Sequence, residues 1–328
     1  MFHKNFTSCH LLSTVTKEED EQEWLKTRTN GIGGSDIGAI CGINHYSSPR
    51  DVYLRKTGQF KDTSEVPNAS VERMHFGTIL EPIVADEYAA RTGKKLKHFE
   101  ATLQSNEYPF AIANVDRFIV DDEDKPIGIL ECKTASDYLA KEWLEGEVPQ
   151  SYIYQLQWYM FVTGIHSGAI AALVGGNKFY YYDIEYSQEL IDNVLLPKAK
   201  EFWECVTNLQ EPELTFLDNN RMDGELVDAD LTKEVTFSDG EFDNIVDSLH
   251  NVKSQIKALE EIRDTLEAKI KDKMQDAVYA YSNNYVVTWK PRTSTRVNQK
   301  MLKELHPVAY SDCLTTSHYR VLTIKKGK

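Results

Sequence analysis

The sequence contains no Cys-x-x-Cys pair. Its five cysteines, Cys9, Cys41, Cys132, Cys205 and Cys313, are odd in number and scattered, which argues against a zinc ribbon or a four-cysteine iron–sulfur site. No apolar run approaches the ~20 residues of a membrane span, so no membrane partner is expected. The first residues, Met1-Phe-His-Lys-Asn-Phe-Thr-Ser-Cys9, lack the basic-then-apolar layout of a signal peptide. A cytoplasmic location is the expectation, and disulfides are not expected there. Positive charge is outnumbered. With 37 Lys and Arg against 51 Asp and Glu the net charge is −14, which argues against indiscriminate nucleic-acid binding.

What is present is the composition of an ordinary globular chain. Hydrophobic residues make up 41% and aromatics 11% of 328 residues, enough for one large domain or two modest ones. Charge is uneven along the chain. Residues 285–328 carry nine Lys or Arg against Glu304 and Asp312, a local +7. Such a stretch can touch phosphates or an acidic partner, or simply solvate the surface.

Pattern and turn chemistry divide the chain. Residues 18–30 read as a helix closed by Asn30-Gly31. The run Gly31-Ile-Gly-Gly-Ser35-Asp36 leads into a short apolar helix with Ser35 or Asp36 as N-cap, and Arg28 stands just before it. Glycines entering a helix N-terminus make an anion site, or only a tight loop. Residues 61–69 read as a polar loop and 71–91 as a long helix carrying Glu81, with Pro82 as a kink and Thr92-Gly93 as its end. A strand is expected near 95–104. Residues 136–145 and 150–164 read as helices, 167–174 and 178–185 as strands, and 187–208 as a further helix. Tyr152, Gln155 and Tyr159 share one helix face, where core packing is the commoner role for aromatics. The order implies an α/β (α+β) fold, a mixed sheet flanked by helices, over residues 1–210. Residues 211–240 read as an acidic linker. A C-terminal helical/β module over 241–328 has a long heptad-like helix at 241–277, a hairpin turning at Ser282-Asn283-Asn284, then a short helix and a final strand.

The hairpin at 111–134 holds the chemistry. Two apolar, β-branched flanks enclose the polar turn Asp121-Asp-Glu-Asp-Lys-Pro126. A turn centred between Glu123 and Asp124 sets Asp116 opposite Glu131, about 5 Å away, with Lys133 on the same face as Glu131. Facing carboxylates repel unless a cation lies between them. An oxygen-rich site of this kind suits Mg²⁺ or Mn²⁺, and a lysine beside the ion can orient or deprotonate a water. This is the equipment of metal-assisted phosphodiester hydrolysis. The bland alternative is a solvated hairpin face. Against it, Glu131 and Lys133 interrupt a strand that otherwise reads as half-buried.

These residues also carry a resemblance. Trp24-Leu-Lys-Thr-Arg28 with Gly33-Gly-Ser35-Asp36, then Phe76-Gly-Thr-Ile-Leu-Glu81-Pro, Asn114-Val-Asp116, Leu130-Glu131-Cys-Lys133 and Tyr154-Gln155-Leu-Gln157-Trp-Tyr159 occur in that order. Together they resemble the YqaJ-type viral recombinase family, related to lambda exonuclease within the PD-(D/E)xK nucleases, over about two thirds of the chain. The resemblance implies a restriction-endonuclease-like core and a Mg²⁺-dependent (or Mn²⁺-dependent) DNA exonuclease. It would resect linear duplex ends 5′→3′ and leave 3′ single strands for an annealing protein in phage recombination. By the same resemblance Asp116, Glu131 and the Cys132 carbonyl bind metal, and Glu81 supports a second metal or the nucleophile. Lys133 orients the attacking water and Gln155 orients the active-site groups. Arg28 and Ser35, with Asn114, hold the 5′-phosphate. Val115 replaces the proline of the superfamily motif. The smaller relatives form ring-shaped trimers, and the 241–328 module resembles extensions of larger members, which sets that homo-oligomer in question here. Two alternatives stay open at this point: an endonuclease or single-strand nuclease on the same core, and a non-catalytic recombination scaffold.

Overall fold

The computed structural model describes residues 6–16, 19–59, 68–143, 147–225, 232–238, 240–316 and 320–325. It separates into two compact units, Met1–Glu225 and Leu226–Lys328. In the first, the elements run β1 (Cys9–Ser13), α1 (Glu21–Thr29), α2 (Gly34–Ile40), α3 (Pro49–Lys56), α4 (Asn68–Thr92), β2 (Lys95–Lys97), β3 (Thr102–Ser105), β4 (Ile112–Ala113), β5 (Arg117–Val120) and β6 (Pro126–Ala135). There follow a 3₁₀ segment Asp137–Trp143, α5 (Gln150–Thr163), β7 (Ser167–Val174), β8 (Lys178–Glu185), α6 (Gln188–Leu190), a π-turn Ile191–Leu195, α7 (Leu196–Asn208) and α8 (Phe216–Glu225).

A five-stranded mixed sheet in the order β2-β5-β6-β7-β8 forms the centre. The pair β6/β7 is parallel and its other pairs are antiparallel. A parallel pair needs a crossover connection, and the 3₁₀ segment and α5 supply it. The strand β6 is therefore covered on both faces: Leu130 packs with Val84 and Tyr88 of α4, and Ile129 belongs to the cluster that holds Trp158 of α5. Trp158 is buried, and its indole Nε1 donates to the Ile32 carbonyl at 2.9 Å, so the ring is buried without an orphaned donor. A second, antiparallel sheet β1-β3-β4 lies beside this core.

Local sequence explains most element ends. Ser48 accepts from the Asp51 amide, and Asp51 returns the bond to Ser48, with Pro49 at the first helical position of α3. The helix α5 stops at Gly164, whose φ of 72° suits glycine.

Several expectations are corrected. The strand expected near 95–104 is two strands, β2 and β3, in different sheets. The region 187–208 is two helices around a π-turn. Of the stretch 61–69, residues 61–67 lie outside the described residues, and 68–69 open α4. Residues 211–240, read as a linker, contain α8; there buried Asp218 accepts from the Ser48 hydroxyl at 2.6 Å. The strand β1 had no signal beyond a few apolar residues.

The second unit holds α9 (Glu241–Met274), the hairpin β9 (Tyr279–Tyr281) and β10 (Val286–Thr288), then α10 (Gln299–Leu305) and α11 (Pro307–Asp312). Among the described residues after α11 there is no final strand. No helix of the described residues is long and apolar enough to cross a membrane.

Candidate active site

The register of β5 and β6 pairs Arg117 with Leu130 and Phe118 with Ile129. One step further along this ladder, Asp116 stands opposite Glu131. The irregularity between Ile119 and Val120 lies on the turn side and leaves this register intact. Asp116 Oδ2 accepts from the Cys132 amide at 2.8 Å, which fixes the carboxylate across the ladder.

Glu131 is 1% exposed, although it is ionisable and sits in mid-strand. Its Oε1 accepts from Lys133 Nζ at 2.6 Å and from Gln155 Nε2 at 2.5 Å. Its Oε2 is buried and has no hydrogen-bond partner. Lys133 Nζ also donates to Gln155 Oε1 at 3.1 Å and lies 4.9 Å from the centre of the Tyr152 ring. Gln155 Nε2 further donates to the Tyr159 hydroxyl at 3.2 Å. The aromatic stripe of α5 thus borders the site, with Tyr152 under the lysine and Tyr159 behind the glutamine. Core packing accounts for Tyr159 only in part.

Electrostatics follow from this burial. Burial and the Glu131 carboxylate hold Asp116 well above the usual carboxylate range. Burial also raises Glu131, with Lys133 opposing. For Lys133 burial favours the neutral amine, but Glu131 and Asp116 outweigh it and raise its pKa. Burial pushes the Cys132 thiol up, which disfavours the thiolate form.

Glu81 reaches the site from α4. Its Oε1 accepts from Arg117 Nη1 at 2.6 Å, and the same nitrogen donates to the Asp116 carbonyl at 2.5 Å. Arg117 is a site residue that sequence reasoning missed. A lone arginine beside Asp116 at the head of an apolar strand was the available signal.

At the other end of the cleft Arg28 Nη2 donates to Ser35 Oγ at 2.9 Å, and its guanidinium lies 4.8 Å from the centre of the Trp24 ring. Lys56 fastens this corner. Its Nζ donates to the Arg28 carbonyl at 2.8 Å and to Asp36 Oδ2 at 2.7 Å. Burial favours the neutral acid at Asp36, but Lys56, Arg28 and the Gly33 amide prevail and lower its pKa. The N-cap of α2 is Gly33, not Ser35 or Asp36, because Asp36 stands in the first turn and accepts from the Gly33 amide at 3.0 Å. That frees the Ser35 hydroxyl to meet Arg28. Asn114 also faces the cleft, with its amide donating to Thr102 Oγ1 at 2.8 Å.

One cleft of about 720 Å³ brings together Asp116, Glu131, Cys132, Lys133, Glu81, Gln155, Arg28, Ser35 and Asn114. Among the described residues no three Asp, Glu, His or Cys side chains form an assembled metal cluster. The carboxylates are instead held by Arg117, by Lys133 with Gln155, and by the Cys132 amide. The donor set nevertheless fits a hard divalent ion: two facing carboxylates, an unpartnered buried oxygen on Glu131 and a strand carbonyl, all oxygen.

The sequence model of the YqaJ-like viral recombinase domain matches residues 23–166. The chain is 38% identical over 314 residues to the uncharacterized protein YqaJ of Bacillus subtilis strain 168, covering 94% of this chain and 95% of that protein. Among solved structures it is similar to an alkaline exonuclease, LHK-Exo, from Laribacter hongkongensis, with a TM-score of 0.47 and 17% identity over 61% of this chain and 97% of that one. A phage-related exonuclease from Haemophilus somnus 129PT gives 0.35 and 14%, over 55% of this chain and 96% of that one. Sequence identity along nearly its whole length therefore shows that the chain belongs to the YqaJ family.

Proposed function

We propose that this chain is a divalent-metal-dependent deoxyribonuclease that shortens linear duplex DNA from its ends. The observation that carries the reading is the Asp116–Glu131–Lys133 constellation, in which Glu131 is buried and the other two half-buried, with Glu131 Oε2 left unpartnered. Burying like charges is costly and rewards nothing in the fold itself. A cation between them gives the arrangement a purpose.

In this reading Asp116, Glu131 and the Cys132 carbonyl would hold Mg²⁺ or Mn²⁺, and Glu81, paired with Arg117 in this structure, would support a second metal or the nucleophile. The chemistry such an ion supplies is polarisation of the scissile phosphate and a lowered pKa of the attacking water. Lys133 donates toward that water and toward the charge that develops on the phosphate oxygens. Gln155 keeps Lys133 and Glu131 in one plane of contact. Arg28 and Ser35 take the terminal 5′-phosphate, with Asn114 beside them, so that cleavage proceeds 5′→3′. The product is a 3′ single strand suited to an annealing protein. The match of residues 23–166 to the YqaJ-like viral recombinase domain supports that use.

The test is a linear duplex phosphorylated at one 5′ end and bearing a hydroxyl at the other. With Mg²⁺ the phosphorylated strand should disappear faster, chelation should stop the loss, and a closed circular duplex should survive. Glu131→Gln and Lys133→Ala should be inactive with unchanged circular dichroism. Cutting of the closed circle would identify an endonuclease instead. Inertness toward every DNA form would leave a scaffold role.

A further inference from the structure

Helix α9 runs for 34 residues, about 51 Å at 1.5 Å per residue. Apolar side chains stand at 242, 245, 249, 252, 256, 259, 266 and 270, an alternation of three and four steps that only Arg263 interrupts. Phe242, Ile245, Ile256, Leu259, Leu266 and Ile270 are each between 45% and 64% exposed. The positions flanking this seam are mostly polar, among them Ser248, Lys253, Gln255, Glu260, Glu267 and Lys269. A helix laid on a globular core shows an apolar stripe ≳100° wide. A narrow seam repeating every 3.5 residues is instead the spacing at which two helices stay in contact along their length.

We propose that α9 pairs antiparallel with α9 of a second copy of this chain. Charge selects both the occupant and the orientation. In a parallel, in-register pair Arg263 would face the partner's Arg263 across the seam. The flanking positions would then form no opposite-charge pair. In the antiparallel pair with the longest overlap, Arg263 lies against the partner's Val252. Ile256 then lies against the partner's Leu259. Lys253 meets the partner's Glu260, and symmetry repeats that ion pair. Arg263 is meanwhile paired within its own helix with Asp264 at 2.8 Å, which keeps its charge at the rim and leaves Glu260 for the partner's Lys253. The area suffices as well. At roughly 100 Å² per apolar side chain, eight offer about 800 Å² per helix, the share each partner brings to a standard interface.

The inference is independent of the nuclease reading, because its test measures mass. Sedimentation equilibrium of the full chain at tens of micromolar should give the wild type twice the mass of the Ile256→Asp/Leu259→Asp variant. Lys253→Glu should weaken pairing about tenfold at low salt, by turning two attractions into repulsions. The double swap Lys253→Glu/Glu260→Lys should restore it. Equal masses for wild type and the seam variant would overturn the proposal and leave the seam to the chain's own body or to another protein. A swap that fails to restore pairing would overturn the antiparallel orientation.

Discussion

Gln155 Nε2 donates to Glu131 Oε1 at 2.5 Å while Gln155 Oε1 accepts from Lys133 at 3.1 Å. One amide thus fixes the carboxylate and the ammonium relative to each other, and a mid-helix residue on α5 becomes a positioning group for two residues of β6. Gln155→Ala should lower kcat by about 10- to 100-fold, the usual cost of losing a partner that orients a metal ligand. KM for DNA should stay within a few-fold. Steady-state kinetics on a linear duplex decide the matter. A raised KM with unchanged kcat would mean that Gln155 contacts DNA instead.

Asp116 places stability and activity in opposition. Its pKa is raised in the folded chain by burial and by Glu131. A carboxyl raised on folding contributes stability that is complete below its unfolded value, near 3.8, and is lost as pH rises through the folded value. Above the unfolded value the metal-free wild type therefore carries a cost, borne either as facing charges or as the proton taken up to relieve them. Asp116→Asn should remove it, because an amide oxygen can still accept the Cys132 N–H. The expected gain in metal-free protein is about 1–2 kcal/mol, a few degrees in Tm at pH 8. The difference should shrink toward pH 4, and cleavage should be lost. Thermal melts with chelator across pH 4–8 test this. A variant that melts lower than wild type at pH 8 would contradict it.

How much of this was legible in the sequence differs from residue to residue. The Asp116–Glu131 pairing was readable because a polar turn between two β-branched runs leaves few registers, and counting back from Glu123/Asp124 gives the observed ladder. The crossover helix and strands β7 and β8 were readable from periodicity and from Gly175-Gly176. The Glu81–Arg117 and Asp36–Lys56 pairs were not, because they join residues 36 and 20 positions apart that no local pattern links. The helix α8 was hidden for a similar reason. An acidic stretch looks like solvent until the fold sets Ser48 beside Asp218. Short strands such as β1 and β4 owe their conformation to the neighbour they pair with rather than to propensity.

Gly34 tests how closely α2 must approach α5. A Cβ built there would lie 2.5 Å from Tyr159 Cε1 and 2.9 Å from Gln155 Cγ. Backbone and a buried ring cannot both hold their places. Gly34→Ala should cost about 1–3 kcal/mol through overpacking, despite the better helix propensity of alanine. Because Ser35 follows directly and Gln155 is one of the displaced atoms' owners, activity should fall along with stability. Gly42 is the control, since nothing lies within 4 Å of its Cβ position; its φ of 73° alone sets the smaller cost of Gly42→Ala. Chemical denaturation of the two variants compares them. Equal losses would show that the α2–α5 approach is not the limiting contact.

The Arg28 corner should decide which DNA ends are taken. Arg28 is aimed by Trp24, bonded to Ser35 Oγ and anchored through its own carbonyl by Lys56, so its guanidinium is held in place before any ligand arrives. A preorganised guanidinium matches a terminal phosphate with two parallel bonds, which lysine cannot reproduce. Arg28→Ala should therefore reduce kcat/KM on a 5′-phosphorylated end by about 10- to 100-fold, the value of a hydrogen bond to a charged group. On a 5′-hydroxyl end it should change little. Arg28→Lys should recover part of the preference, and Ser35→Ala should lose a smaller share of it. The measurement is the ratio of initial rates for the two ends of one duplex. If Arg28→Ala slowed both ends alike, the corner would be gripping the DNA backbone in general, and recognition of the terminal phosphate would have to lie elsewhere in the cleft.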